Sequence, residues 1–152
     1  MTERQDCNPL LLDNQLCFPL YASARKIVAA YHPFLKKLGL TYSQYVTMMV
    51  LWEEKNITMH ELGRRLYLDS GTLTPVLKKL EKASYVTRAR MEEDERVVVL
   101  DVTEKGMALE RQALSVPEAM RCLINQKGPL FTPEELDTLK KQLYRLIDAL
   151  EG

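Results

Sequence analysis

Three cysteines are the residues best suited to do chemistry in this 152-residue chain. Cys17 lies in the stretch LLLDNQLCFPLYASARK, just after an Asp13-Asn14 pair able to cap a helix, with Tyr21 one turn on and Tyr31 further along. A thiol reacts as its thiolate. In the first turn of a helix the backbone N–H groups are unpaired and the dipole end is positive, which favours an anion. No Lys or Arg adjoins Cys17, and Arg25 is two turns away. Activation would therefore come from the helix end and from hydroxyl donors such as Tyr31 or Tyr42. A cysteine between Leu16 and Phe18 is equally suited to be a small buried hydrophobe, and the residues alone leave both open. Cys7, Cys17 and Cys122 form no C-x-x-C, and neither His32 nor His60 completes a zinc pattern, so no metal or other cofactor is expected.

A second group of residues suits nucleic acid. The formal net charge is zero, which excludes a broadly basic, DNA-coating protein. Between Asp69 and Arg90, however, Lys78, Lys79, Lys82, Arg88 and Arg90 face only Asp69 and Glu81, a local net charge of +3. Ser70, Thr72 and Thr74 can bond base edges or phosphates, and Lys78 and Lys79 suit phosphate. Arg96 has the planar donor array that fits a narrow, negative minor groove. The plain alternatives are a solvated helix face and a surface ion pair between Arg96 and Asp94.

These side chains need elements to hold them. Leu16, Leu20, Ala24, Ile27, Tyr31, Leu35 and Leu38 recur at helical spacing and predict a first helix over 14–38. Pro33 should kink or break it, while Pro19 requires either a start near Phe18 or a distorted opening turn. Thr41-x-x-Gln44 is a capping box that opens a buried helix through about Glu54, and Thr58-x-x-Glu61 opens a short one ending near Leu66. Asp69, Ser70 or Thr72 caps a further helix to about Lys82. Pro75 is tolerated there if the helix begins around Leu73 or Thr74. Two β-rich runs, 85–90 and 97–102, flank a charged turn at 92–95 and predict a hairpin. Thr103 caps a long helix with Pro117 in its middle. Thr132-Pro133-Glu134-Glu135 opens the last helix, where Leu136, Leu139, Leu143, Leu146 and Leu150 form a narrow heptad seam.

Helix, helix, short helix, helix and hairpin is the order of a winged helix-turn-helix. The expected fold is mainly α (α+β): one domain over 1–152, with the winged helix-turn-helix at roughly 42–102. The helices at 14–38 and 103–150 are expected to make a homodimer, which would place two modules on one face of palindromic double-stranded DNA. No apolar run spans a bilayer, so no membrane is expected. The N-terminus lacks the pattern of a signal peptide, so the cytoplasm is the expected compartment. Thiols are kept reduced there.

At these residues the chain resembles the MarR-type winged-helix repressors over its length, and within them the organic hydroperoxide resistance regulators. The motifs are DNQLCF.LY (13–21), LGLTY.QY (38–45), LYLDSGTLTP.LK.LE (66–81) and DER (94–96). The resemblance implies a repressor released from DNA by peroxide, with Cys17 as the sensing cysteine. It implies that Tyr31 and Tyr42 hydrogen-bond that thiol across the dimer and that Tyr21 lies near it. It makes 70–79 the recognition helix, and Asp94 and Arg96 the wing pair in which the acid orients the arginine. Cys122 falls where one branch of the subgroup carries a resolving cysteine. Pro19 departs from the usual residue, and Cys7 has no counterpart.

Leu16, Phe18, Leu20 and the helix at 42–54 would line an apolar approach to Cys17. Each buried methylene of an organic hydroperoxide gains roughly 0.8 kcal/mol there, and hydrogen peroxide gains nothing. The competing functions are a cysteine-dependent peroxidase, a MarR-like regulator of a small aromatic ligand with Cys17 incidental, and a general thiol-redox sensor. The helix-turn-helix and wing argue against the enzyme.

Overall fold

The computed structural model describes residues 8–151, so Cys7 lies outside the described residues. In chain order the elements are α1 (Cys17–Leu38), α2 (Tyr42–Glu53), β1 (Ile57–Thr58), α3 (Met59–Leu66), α4 (Ser70–Lys82), β2 (Val86–Arg90), β3 (Val98–Val102), α5 (Glu104–Ala113), α6 (Ser115–Ile124) and α7 (Pro133–Glu151). One compact unit ends at Val116 and a second begins at Pro117.

The first helix starts later than its apolar spacing suggests. Leu12–Asn14 form a single 3-10 turn, and Leu16 rather than Asp13 or Asn14 stands at the cap of α1. Pro19 explains the shift. A helix begun at Asn14 would need an amide from Pro19, whereas in a helix begun at Cys17 that position needs no partner. Pro33, by contrast, does not break α1, which runs on to Leu38. The carbonyl it orphans belongs to exposed Ala29, and the turn beyond is anchored by buried Leu35.

Both capping boxes form as the sequence indicates. Thr41 Oγ1 accepts from the Gln44 amide while Gln44 Oε1 accepts from the Thr41 amide, at 3.3 and 2.8 Å. Thr58 and Glu61 repeat the exchange at 3.1 and 3.0 Å. Asp69 caps α4, so that helix begins at Ser70, earlier than the Leu73 or Thr74 start that would put Pro75 in its first turn. Pro75 sits on the exposed side, and the carbonyl it frees is that of exposed Gly71.

The central helix α2 is buried on several sides. Its Met48 and Leu51 meet Leu62 of α3, Leu73, Leu77 and Leu80 of α4, Val86, Leu100 and Leu109 in one core. The hairpin pairs Val86 with Val102 through Arg90 with Val98. A third strand joins it: β1 pairs antiparallel with β3, Ile57 opposite Leu100, giving the sheet order β1-β3-β2. This sheet, with α3 and α4, is a winged helix-turn-helix.

The wing is tied to the core at Gly106, where the Trp52 indole Nε1 donates to its carbonyl at 2.9 Å and its own amide donates to Thr103 Oγ1 at 3.0 Å. A Cβ there would run into the Tyr85 carbonyl and lie 2.6 Å from Val102 Cγ1. The long helix expected after Thr103 is two helices, α5 and α6, meeting at Leu114. Pro117 lacks the amide that would bond the Ala113 carbonyl, so the chain starts a fresh helix with Pro117 in its first turn. In the second unit, Thr132 and Glu135 form a third capping box at 2.9 and 3.2 Å that opens α7.

Candidate thiol site and nucleic-acid interface

Cys17 is the first residue of α1 and is exposed. It is therefore no core filler within its own chain. Leu16 offers no side-chain cap, so among the described residues the Cys17 and Phe18 amides remain open toward an anion at this end, Pro19 having none to offer. Leu16 and Phe18, its neighbours in the chain, are 67% and 45% exposed, so apolar surface is uncovered at this end of α1. Tyr21 follows one turn on, and the Arg25 guanidinium lies over its ring at 5.2 Å.

Tyr31 and Tyr42 come together as one cluster, ring centroids 5.1 Å apart. A third ring, Tyr45, lies 5.9 Å from Tyr31; it ends the motif at 38–45 without having been assigned a role, and its three-residue step from Tyr42 puts both on one face of α2. Burial, and then the neighbouring Tyr42, push the Tyr31 phenol above its ordinary value; burial does the same to Tyr45. These hydroxyls stay protonated at neutral pH and remain donors. The cluster is at the far end of α1 from Cys17. At roughly 1.5 Å of rise per residue, Cys17 and Tyr31 stand about 21 Å apart. One chain thus holds a thiol and a set of donors that cannot meet each other within it.

Cys122 is exposed on α6 rather than packed into an apolar face. Its thiol donates to Glu118 Oε1 at 3.5 Å. The same carboxylate is held by Arg121, with Nη2 at 2.7 Å from Oε1 and Nε at 2.9 Å from Oε2. This companion carboxylate was missed from sequence; its signal is the Glu118–Cys122 spacing of one helical turn.

On the helix-turn-helix, Asp69 Oδ1 accepts from the Thr72 amide at 2.8 Å and Oδ2 from the Thr72 hydroxyl at 3.0 Å, which holds the Asp69 carboxyl below the usual range. The Thr74 hydroxyl donates to the Ser70 carbonyl at 2.6 Å. Both threonines have spent their donors inside α4 and offer lone pairs outward, while Ser70, Lys78 and Lys79 are exposed. Arg88 is committed elsewhere: its Nη2 and Nε lie 2.6 and 2.8 Å from Glu81 Oε2, clamping β2 to α4. Arg90 bonds the Glu95 carbonyl at 3.0 Å and closes the hairpin tip. Asp94 Oδ1 accepts from the Arg96 backbone amide at 3.0 Å. The two side chains form no ion pair, so Asp94 fixes the turn that carries Arg96 and leaves the exposed guanidinium uncommitted among the described residues.

The profile of the family Transcriptional regulator SarA/Rot matches residues 29–112. The chain is 46% identical over 139 residues, 91% of each sequence, to the organic hydroperoxide resistance transcriptional regulator of Bacillus subtilis (strain 168). Among solved structures it is similar to reduced AbfR bound to DNA, with TM-score 0.77, 31% identity and 100% of both chains covered. It is also similar to overoxidized AbfR bound to DNA, with TM-score 0.73, 35% identity and 99% of both chains covered. AbfR has been described from Staphylococcus epidermidis. Identity at this level along nearly the whole chain, on a helix-turn-helix with a three-stranded wing, makes this protein a member of the SarA/Rot–MarR family of winged-helix transcriptional regulators.

Proposed function

We propose that the protein is a cytoplasmic, homodimeric repressor that binds a palindromic DNA operator and leaves it when an organic hydroperoxide oxidises Cys17. The observation that carries this is the division of the thiol site. Cys17 opens α1, whereas the proposed donors are Tyr31, four turns further along that helix, and Tyr42 at the start of α2, so a complete site needs two chains running past each other. Exposed apolar side chains supply the means. Leu16 and Phe18 begin α1, and Leu136, Leu139 and Leu150 lie along α7, each at least 39% exposed. Surface of this kind marks an interface. The 1–152 chain would act as one regulatory domain, its winged module at about 42–102 and its terminal helices joining the dimer.

Oxidation removes the hydroperoxide's terminal oxygen to give a Cys17 sulfenic acid and the corresponding alcohol. Two forms of AbfR, reduced and overoxidized, are each bound to DNA. Release of the present protein is therefore assigned to a later step, a disulfide between Cys17 of one chain and Cys122 of the other. Turnover is not required: one equivalent of peroxide per thiol serves a regulator, whereas a peroxidase would consume many with a thiol reductant.

A gel shift on the DNA upstream of its own gene tests this. The complex should form with reduced protein, dissociate on adding an organic hydroperoxide and return with dithiothreitol. A complex indifferent to the hydroperoxide would exclude the sensor, and one dissolved by small aromatic compounds instead would favour a ligand-gated regulator.

Two variants probe the parts. Arg96→Ala should weaken operator binding by about 1–3 kcal/mol with the dimer intact, because its uncommitted guanidinium is the wing's reach into the minor groove. Unchanged affinity at moderate salt would remove the wing from recognition. Tyr31→Phe and Tyr42→Phe should fold normally yet slow the reaction of Cys17 with hydroperoxide, each losing a donor to the thiolate. Stopped-flow traces superimposable on the wild type would take both tyrosines out of the site.

A further inference from the structure

The carboxylate beside Cys122 has no part in the function proposed so far. Glu118 is one turn before Cys122, and its Oε1 is shared between the Cys122 thiol at 3.5 Å and Arg121 Nη2 at 2.7 Å. A second bond from Arg121 Nε to Oε2, at 2.9 Å, prevents the carboxylate from rotating away. All three side chains are exposed and follow one another on α6, so the arrangement contributes little to stability as a surface ion pair. What it does fix is a base aimed at the thiol proton.

We propose that Glu118 is the proton carrier for disulfide formation by Cys122, with Arg121 as the residue that positions it. This rests on the reading of Cys122 as the thiol that resolves oxidised Cys17. The step is Cys17–S–OH + HS–Cys122 → Cys17–S–S–Cys122 + H2O. The Cys122 sulfur pair forms the S–S bond, the Cys17 S–O bond breaks, and its electron pair leaves on oxygen. The thiol proton must leave Cys122 as its sulfur attacks, and the departing hydroxide must gain a proton. Glu118 Oε1 accepts the first and supplies the second, so no free thiolate or hydroxide accumulates. The Arg121 guanidinium, and then the Cys122 thiol, hold the Glu118 carboxyl below its ordinary value, which keeps it ionised at neutral pH and makes it a weaker base than a free carboxylate. A weak base suffices because the proton is passed on to a strong one. General acid–base assistance of this kind contributes about 10²–10⁴-fold in enclosed sites; on an exposed helix the lower end applies.

The test is single-turnover kinetics on the full-length protein with cumene hydroperoxide. Sulfenic acid is followed by a trapping dye and disulfide by non-reducing gel and mass. Glu118→Gln should leave the rate of Cys17 oxidation unchanged and slow disulfide formation by about tenfold or more, with over-oxidised Cys17 accumulating, as is also expected of Cys122→Ser. Arg121→Gln should slow the same step less. Glu118→Ala should be restored toward the wild-type rate by added formate, a rescue that a merely structural loss would not show. If Glu118→Gln forms the Cys17–Cys122 disulfide at the wild-type rate, or if formate has no effect on the slowed Ala variant, Glu118 is not the carrier and the resolving role of Cys122 stands. If the wild-type protein forms no Cys17–Cys122 disulfide at all, the resolving role falls, and this inference with it.

Discussion

Cys17→Ser is expected to hold its operator at hydroperoxide concentrations that clear the wild-type protein completely. Serine preserves the shape and the start of α1 but cannot become a sulfenic acid. DNA affinity without oxidant should be unchanged, because the thiol is at the opening of α1 while Ser70, Lys78, Lys79 and Arg96 belong to α4 and the wing. The effect is all-or-none in the gel shift, larger than anything expected from the tyrosines. Continued release of this variant by hydroperoxide would move the sensor to Cys122 or elsewhere.

The second large effect is on stability. Gly106→Ala should lower unfolding stability by about 1–3 kcal/mol, the usual cost of forcing an extra carbon into a packed interior. Alanine is the better helix former by about 1 kcal/mol, so the sign of the change decides which effect wins. The added Cβ meets the Tyr85 backbone carbonyl and Val102, neither the end of a flexible side chain. Tyr85 and Val102 are the roots of the two wing strands, so operator affinity should fall together with stability. Melting temperatures compared at equal protein concentration, which matters for a dimer, would show a drop of several degrees. A melting temperature equal to or above the wild type would mean that the helix accommodates the methyl and that Gly106 is dispensable.

Most of the helix-turn-helix was legible in sequence because its signals are local. Thr41-x-x-Gln44, Thr58-x-x-Glu61 and Asp69 each close their hydrogen bonds within one turn, and all form. The hairpin was legible through its two β-rich runs. Prolines were harder, since their cost depends on what the freed carbonyl meets. Pro19 delayed α1 and Pro117 divided the long helix, while Pro33 and Pro75 interrupted nothing. β1 carries no pattern of its own; two residues become a strand only because β3 passes beside them. The thiol residues were identified by motif; Tyr45 ends one of those motifs and shares a face of α2 with Tyr42, but its place as the third ring depends on α1 packing on α2. For the nucleic-acid face, residue type did not show that Arg88 pairs with Glu81 and that Arg90 bonds the Glu95 carbonyl, since both contacts depend on how the hairpin folds back.

The clamp of Arg88 by Glu81 has a bearing on where the repressor spends its time in a cell. Binding to arbitrary DNA is driven by release of condensed counterions, and the exponent on salt concentration is about −0.9 per phosphate neutralised. With Lys78, Lys79, Lys82, Arg90 and Arg96 free of ion pairs on each chain among the described residues, a dimer engaging all of them would have an exponent of about −9. On a chain of zero net charge, that dependence comes from this local patch alone. Releasing Arg88 from the clamp would add two contacts per dimer and steepen the exponent to about −11, so the clamp holds down the salt-sensitive, sequence-blind part of DNA binding.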